Sequence, residues 1–241
     1  MRAETRHQLK TDRFTQATIG AAEATAHWTA EHKAKLLIGI VIAAVLVAAV
    51  VGGWYYLNQQ DEKANLQFTR AVRTLETQIR AAGTPETPNF PSFASSEERG
   101  NAAKKQLQAV VDQYPHTHTA DIARYLLGTT AVELGDKATA ERQLKDVASS
   151  RNSDLAALAK MALAAFYGNN NRTKEAVDLY QQLSNKPTNT VSKVMAQMQL
   201  ASLYETSQQP MEAKHVYEQI VKENPKSEVE SVAQARLQSL K

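Results

Sequence analysis

The chain has 241 residues, 43% of them hydrophobic and 22% charged, with a net charge of +3 and no cysteine. That length holds one ordinary domain plus appendages, and the missing cysteine excludes disulfides, thiolate metal sites and a cysteine nucleophile. Six Lys/Arg against four Asp/Glu in the first 35 residues carry +2 of the charge, so the remainder is near neutral and offers no clustered basic face to nucleic acid.

Residues 1–35 form a polar tail in which Phe14, Ala17, Ala21, Ala24 and Trp28 recur at helical spacing. This spacing predicts a short amphipathic helix lying on a membrane surface. Residues 36–57, Leu36 to Leu57, then run without an ionisable group apart from two tyrosines. As a helix this stretch rises roughly 33 Å, enough for a hydrocarbon core of ~30 Å. Lys33 and Lys35 flank one end, and Trp54, Tyr55 and Tyr56 the other, where aromatic rings favour the headgroup layer. The length of the preceding tail distinguishes the segment from a cleaved signal peptide. The basic tail as a whole leads to the expectation of a cytoplasmic N-terminus with the C-terminal part across the membrane, although within ~15 residues of each end Lys63 and Arg70 balance Lys33 and Lys35.

Residues 58–96 read as a post-membrane helix and then a loop. Phe68, Val72, Leu75 and Ile79 line one face of a helix expected over 61–82, and Pro85, Pro88 and Pro91 break the helical pattern beyond it.

From residue 97 to 241 the chain repeats itself. Three times a small residue within an apolar group is followed twelve residues later by an alanine, and four residues after that by a large apolar side chain. The trios are Gly128/Ala140/Leu144, Ala164/Ala176/Tyr180 and Ala201/Ala213/Tyr217. Successive copies are offset by 36 and 37 residues, close to the roughly 34-residue period of tetratricopeptide (TPR) helix pairs. Small residues at matching sites let two antiparallel helices approach closely, and the bulkier side chain fills the space beyond. Ala103, Leu107, Val110 and Pro115 match the second helix of a partial copy, whose first helix would be 61–82. Ser227–Leu240 is the expected terminal helix, which covers the last repeat. The fold class expected is all-α: one transmembrane helix, then a TPR-like solenoid of about three and a half repeats with a capping helix.

Trp28-Thr-Ala-Glu31-His32 before the apolar run, Gly53-Trp54-Tyr55-Tyr56 closing it, the helix around Phe68–Leu75 and the repeats together resemble single-pass bacterial envelope proteins with a TPR-like domain, among them the ancillary subunit of the SecYEG translocon. The tail Met1–Thr25 is longer than the short cytoplasmic start of that subunit. The resemblance implies the bacterial inner membrane, a cytoplasmic N-terminus and a periplasmic C-terminal domain. It also implies partners that are translocon subunits, secreted clients or components of an envelope complex.

No phosphate loop, nucleophile elbow or HExxH motif occurs. His116 and His118 flank a threonine with no third ligand nearby, short of what zinc requires. No enzyme activity, cofactor or metal is expected. In TPRs the first helix of each repeat lines a groove through sites six and three before the small residue and one and four after it. Here these sites hold Ile122, Tyr125, Thr129 and Val132; Leu158, Met161, Ala165 and Gly168; and Met195, Met198, Ser202 and Glu205. Adaptable methionines suit varied apolar partners, although methionine at helical spacing also serves as core. Arg124, Lys160 and Gln197 stand where TPRs usually bury a large residue. The function expected is protein–protein interaction, chaperone-like or ancillary to translocation, the alternative being a fixed scaffold of another envelope complex.

Overall fold

The computed structural model describes residues 32–81, 83–84 and 92–240. The chain divides into two units, Met1–Tyr56 and Leu57–Lys241. The expected amphipathic helix of the tail lies outside the described residues. All regular elements among the described residues are α-helices: α1 (Lys33–Glu76), α2 (Ser96–Gln113), α3 (His118–Glu133), α4 (Lys137–Ala148), α5 (Ser153–Asn169), α6 (Thr173–Asn185), α7 (Lys193–Thr206), α8 (Pro210–Glu223) and α9 (Glu228–Ser239).

In the first unit, α1 carries a stretch long and apolar enough to cross a membrane. Its side chains from Leu37 to Tyr56 are exposed throughout, Val45 at 62%. An aliphatic surface of that extent is costly in water, at roughly 25 cal/mol per Å².

In the second unit each helix from α2 onward packs on its neighbours in sequence, and α3 also touches α5. Local chemistry fixes where the helices begin. Side-chain oxygens of Ser95, Thr117, Asp136, Asn152, Ser192 and Ser227 accept hydrogen bonds from backbone N–H groups of the first turn, satisfying donors with no intrahelical partner. Pro210 opens α8 at a position where its missing N–H costs nothing. The turns between paired helices repeat as closely as the sequence does. Gly135, Asn171 and Gln208 take positive φ of 72°, 60° and 58°. The next residue's N–H then reaches back to Ala131, Tyr167 and Tyr204 carbonyls at 2.9, 2.9 and 2.8 Å, a Schellman closure.

The expected trios lie at the helix contacts. Ala140, Ala164, Ala176, Ala201 and Ala213 are fully buried, with Leu144, Tyr180 and Tyr217 packed in the same core. A Cβ on Gly128 would lie 2.8 Å from Leu144 Cγ, and one on Gly168 2.8 Å from Leu203 Cδ1. Gly128 therefore marks a helix contact too close for a side chain, whereas at Gly168 only the end of the Leu203 side chain would have to move. Burial holds the Tyr180 phenol up to about 12. The Tyr217 phenol is likewise pushed up to about 12, by burial and then by the Glu205 carboxylate.

A second cluster joins Ala64 and Ala71 of α1 to Leu107 and Val110 of α2 and to Ala123 and Leu127 of α3, with Phe68 and Leu75 against it. The Asp61 carboxylate accepts the Thr119 N–H at 2.9 Å, tying this end of α1 to the start of α3. One expectation needs correction. The helix expected over 61–82 ends at Glu76, and Ile79 is 44% exposed. Ile79 pairs instead with Phe93 across a short bridge, where Arg80 N–H donates to the Phe93 carbonyl at 2.9 Å and Phe93 N–H to the Gln78 carbonyl at 3.0 Å. These bonds from a distant segment replace the ones that would have continued the helix. The terminal helix has the expected extent, with Ser227 and Leu240 as its caps.

Candidate protein-binding face

The groove positions lie on α3, α5 and α7, the first helices of three repeats. Each of these helices buries a broad stripe that includes Ala123, Leu127 and Ala131 on α3, Ala159, Leu163 and Ala164 on α5, and Ala196, Leu200 and Ala201 on α7. The groove positions fall beside that stripe, and none of them is buried. Val132, Ala165, Met195 and Ser202 are exposed, while Ile122, Tyr125, Thr129, Leu158, Met161, Gly168, Met198 and Glu205 are half-buried.

Their surroundings are mixed. Tyr125, Leu158, Met161 and Met198 lean against the main core, and Ile122 against the smaller cluster of Val147, Leu155 and Ala159. Met195 is 46% exposed. The methionines are thus divided, one open and two shared between core and surface. At the far end the Arg236 guanidinium of α9 lies 4.0 Å from the Glu205 carboxylate, so the terminal helix reaches the last groove position.

Cavities lie elsewhere, and no groove position lines the two between successive repeats. One of about 570 Å³ is bounded by α6, α7 and α8; another of about 480 Å³ by the end of α4, by α5 and by α6. The sites of Arg124, Lys160 and Gln197 differ among themselves. Arg124 and Lys160 are half-buried, whereas Gln197 is 2% exposed.

Polar links bind one repeat to the next. Lys104 of α2 pairs with Asp136 at the start of α4. Glu141 of α4 receives the Arg172 guanidinium at 2.8 Å and the Tyr167 hydroxyl at 3.1 Å, and the same guanidinium stacks 3.9 Å from the Tyr167 ring centre. Arg172, then Lys145, hold the Glu141 carboxyl down at about 2. Lys104 and then Thr139 hold Asp136 near the same value. These shifts come from ion pairs in a repeat joint, which is a structural role. Among the described residues no three His, Cys, Asp or Glu side chains gather as a metal site would need.

No curated protein and no solved structure matches the chain. A tetratricopeptide repeat model covers residues 195–227, which include most of α7 and all of α8. The tetratricopeptide repeat-like domain covers residues 26–182, a span that takes in the apolar part of α1 as well as the repeats through most of α6. Modules of this kind bind other proteins. With well over half of its length covered, the chain belongs to the tetratricopeptide repeat-like domain family.

Proposed function

We propose that this protein is a membrane-anchored interaction module of a bacterial envelope. Its solenoid faces the periplasm and holds apolar stretches of secreted or membrane proteins near their point of exit. The observation that carries this reading is the row of unburied apolar side chains on the first helices, Ile122, Leu158, Met161, Met195 and Met198. The unburied apolar run of α1 supports the anchor, and the basic tail supports the orientation. Unbranched thioether side chains can repack around differing apolar partners, as a binder of many clients requires.

The double variant Met161→Gln/Met198→Gln tests the groove in the whole chain, reconstituted in nanodiscs. Helix propensity is nearly unchanged. Each lost anchor is expected to weaken affinity for apolar peptides by roughly five- to thirtyfold, about 1–2 kcal/mol, with little change in melting temperature. A drop in stability of several kcal/mol would mean that the methionines are core, and the groove reading would fall. A second reading, a fixed scaffold in an envelope complex, draws on the contact of Arg236 with Glu205, which puts α9 against one end of the groove. A scaffold would co-purify with one stoichiometric partner in mild detergent, a chaperone-like module with a mixture.

A further inference from the structure

The cavity of about 480 Å³ between repeats has an unusual lining. Arg151, Lys160 and Lys186 converge on it, Ala156, Ala157 and Leu183 give it apolar wall, and neither an aspartate nor a glutamate lines it. The cavity one repeat further on, bounded by α6, α7 and α8, carries an acid, Glu212, in its own lining as well as Lys193.

The repeat supplies an internal comparison. Lys160 stands at the position of Arg124 in the preceding repeat and of Gln197 in the following one. Arg124 donates to Asp121 Oδ1 at 2.8 Å and to the Pro115 carbonyl at 2.9 Å. Gln197 donates to Glu223 Oε2 at 3.4 Å, and that carboxylate also holds Lys193 at 2.8 Å. In the middle repeat the acid is missing. Among the described residues Arg151, Lys160 and Lys186 make no ion pair. The nearest carboxylates, Asp121 in the first turn of α3 and Asp154 in the first turn of α5, line neighbouring recesses together with Arg151 and Lys186 respectively, and both are engaged. Asp121 holds Arg124 and takes the Ser150 hydroxyl at 3.3 Å, and Asp154 accepts the Asn189 N–H at 3.0 Å. Three cations around a recess whose own lining holds no carboxylate, and which form no ion pair with the acids beside it, leave a positive potential that a carboxylate can answer with charge-assisted hydrogen bonds.

We propose that this cavity docks an acidic polypeptide segment, whose carboxylates meet Arg151, Lys160 and Lys186 while an apolar side chain rests on Ala156, Ala157 and Leu183. The apolar wall favours a peptide over a bare anion, which would leave it unused. The carboxamides of Gln182 and Asn185 at the same cavity offer both donors and acceptors to a peptide main chain. This site is separate from the first-helix groove and does not depend on it.

The test uses the full chain in phosphatidylcholine nanodiscs and a fluorescein-labelled heptapeptide of alternating glutamate and leucine, read by anisotropy. The wild type is expected to bind it, and the triple variant Arg151→Gln/Lys160→Met/Lys186→Gln to bind about tenfold or more weakly. A matched control, Lys137→Gln/Lys174→Gln/Lys222→Gln, removes as many exposed charges from other surfaces and is expected to bind within about twofold of wild type. Arg151 and Lys186 are exposed, so Arg151→Gln/Lys186→Gln provides a folded variant if the triple one melts early. Absence of wild-type binding, equal weakening in the control, or equal binding of the glutamine version of the peptide would each overturn the proposal. So would retention on phosphatidylglycerol vesicles that depends on these three residues in a chain that does not bind the peptide, since that would assign the cavity to lipid.

Discussion

Alanine meets two fates in this chain. In the apolar part of α1, Ala43, Ala44, Ala48 and Ala49 are all exposed. From residue 64 onward, Ala64, Ala71, Ala103, Ala140, Ala176 and Ala213 are fully buried. The residue is the same and its setting differs. In the apolar part of α1 alanine stands among Val, Ile and Leu around the whole helix, so no face is distinguished and the segment needs an apolar surrounding. In the repeats it stands at one fixed site per helix with polar residues opposite, and its small size sets how closely two helices approach. Total hydrophobicity thus governs the first region and register the second.

The sharpest way to break this contrast is a charge in the first region and an overfilled site in the second. In α1, Val45→Arg places a guanidinium at the middle of the apolar run and should cost insertion ~2.5–3.5 kcal/mol. The chain should then shift from the membrane pellet to the alkaline supernatant in a carbonate extraction. In the solenoid, Ala176→Leu enlarges a fully buried side chain and should lower stability by ~1–3 kcal/mol, read as a fall in melting temperature.

A smaller effect is expected at the repeat joint. Glu141 is held from its ordinary 4.5 down to about 2 by Arg172 and Lys145. A depressed carboxyl stabilises the fold above its unfolded value and loses that contribution as pH falls through the folded one. Melting temperature should therefore decline as pH drops from about 4.5 toward about 2. Glu141→Gln should flatten that decline, at a cost near neutral pH of about 1 kcal/mol because the pair is partly exposed. The smallest effect is the control for Ala176. Lys174→Leu, on the exposed side of α6, should change stability by no more than ~0.5 kcal/mol. Equal melting points for the Ala176 and Lys174 variants would mean that register does not govern the packing.

These contrasts also mark what the sequence makes legible. The trios around Ala140, Ala176 and Ala213 can be read from spacing because contacts between paired helices are set by local periodicity and a short turn. The end of α1 cannot, because Ile79 continues the helical pattern while its hydrogen bonds go to Phe93, beyond a proline-rich stretch. The groove positions can be read only as a face. Whether Met161 leans on the core or stands clear depends on how its neighbours are rotated, and the structure divides it between the two. The cationic cavity is hidden for a further reason. Arg151, Lys160 and Lys186 come from a loop, a helix and a second loop, and only tertiary packing brings them together.

The role proposed for the unburied apolar row on α3, α5 and α7 is to receive other proteins. Photo-crosslinking in cells, with the reactive amino acid placed in turn at Met161, Met198 and Lys174, tests it most directly. Adducts to apolar segments of secreted or membrane proteins are expected from Met161 and Met198, and few from Lys174. Adducts of equal yield from all three positions, or none from the two methionines, would contradict it.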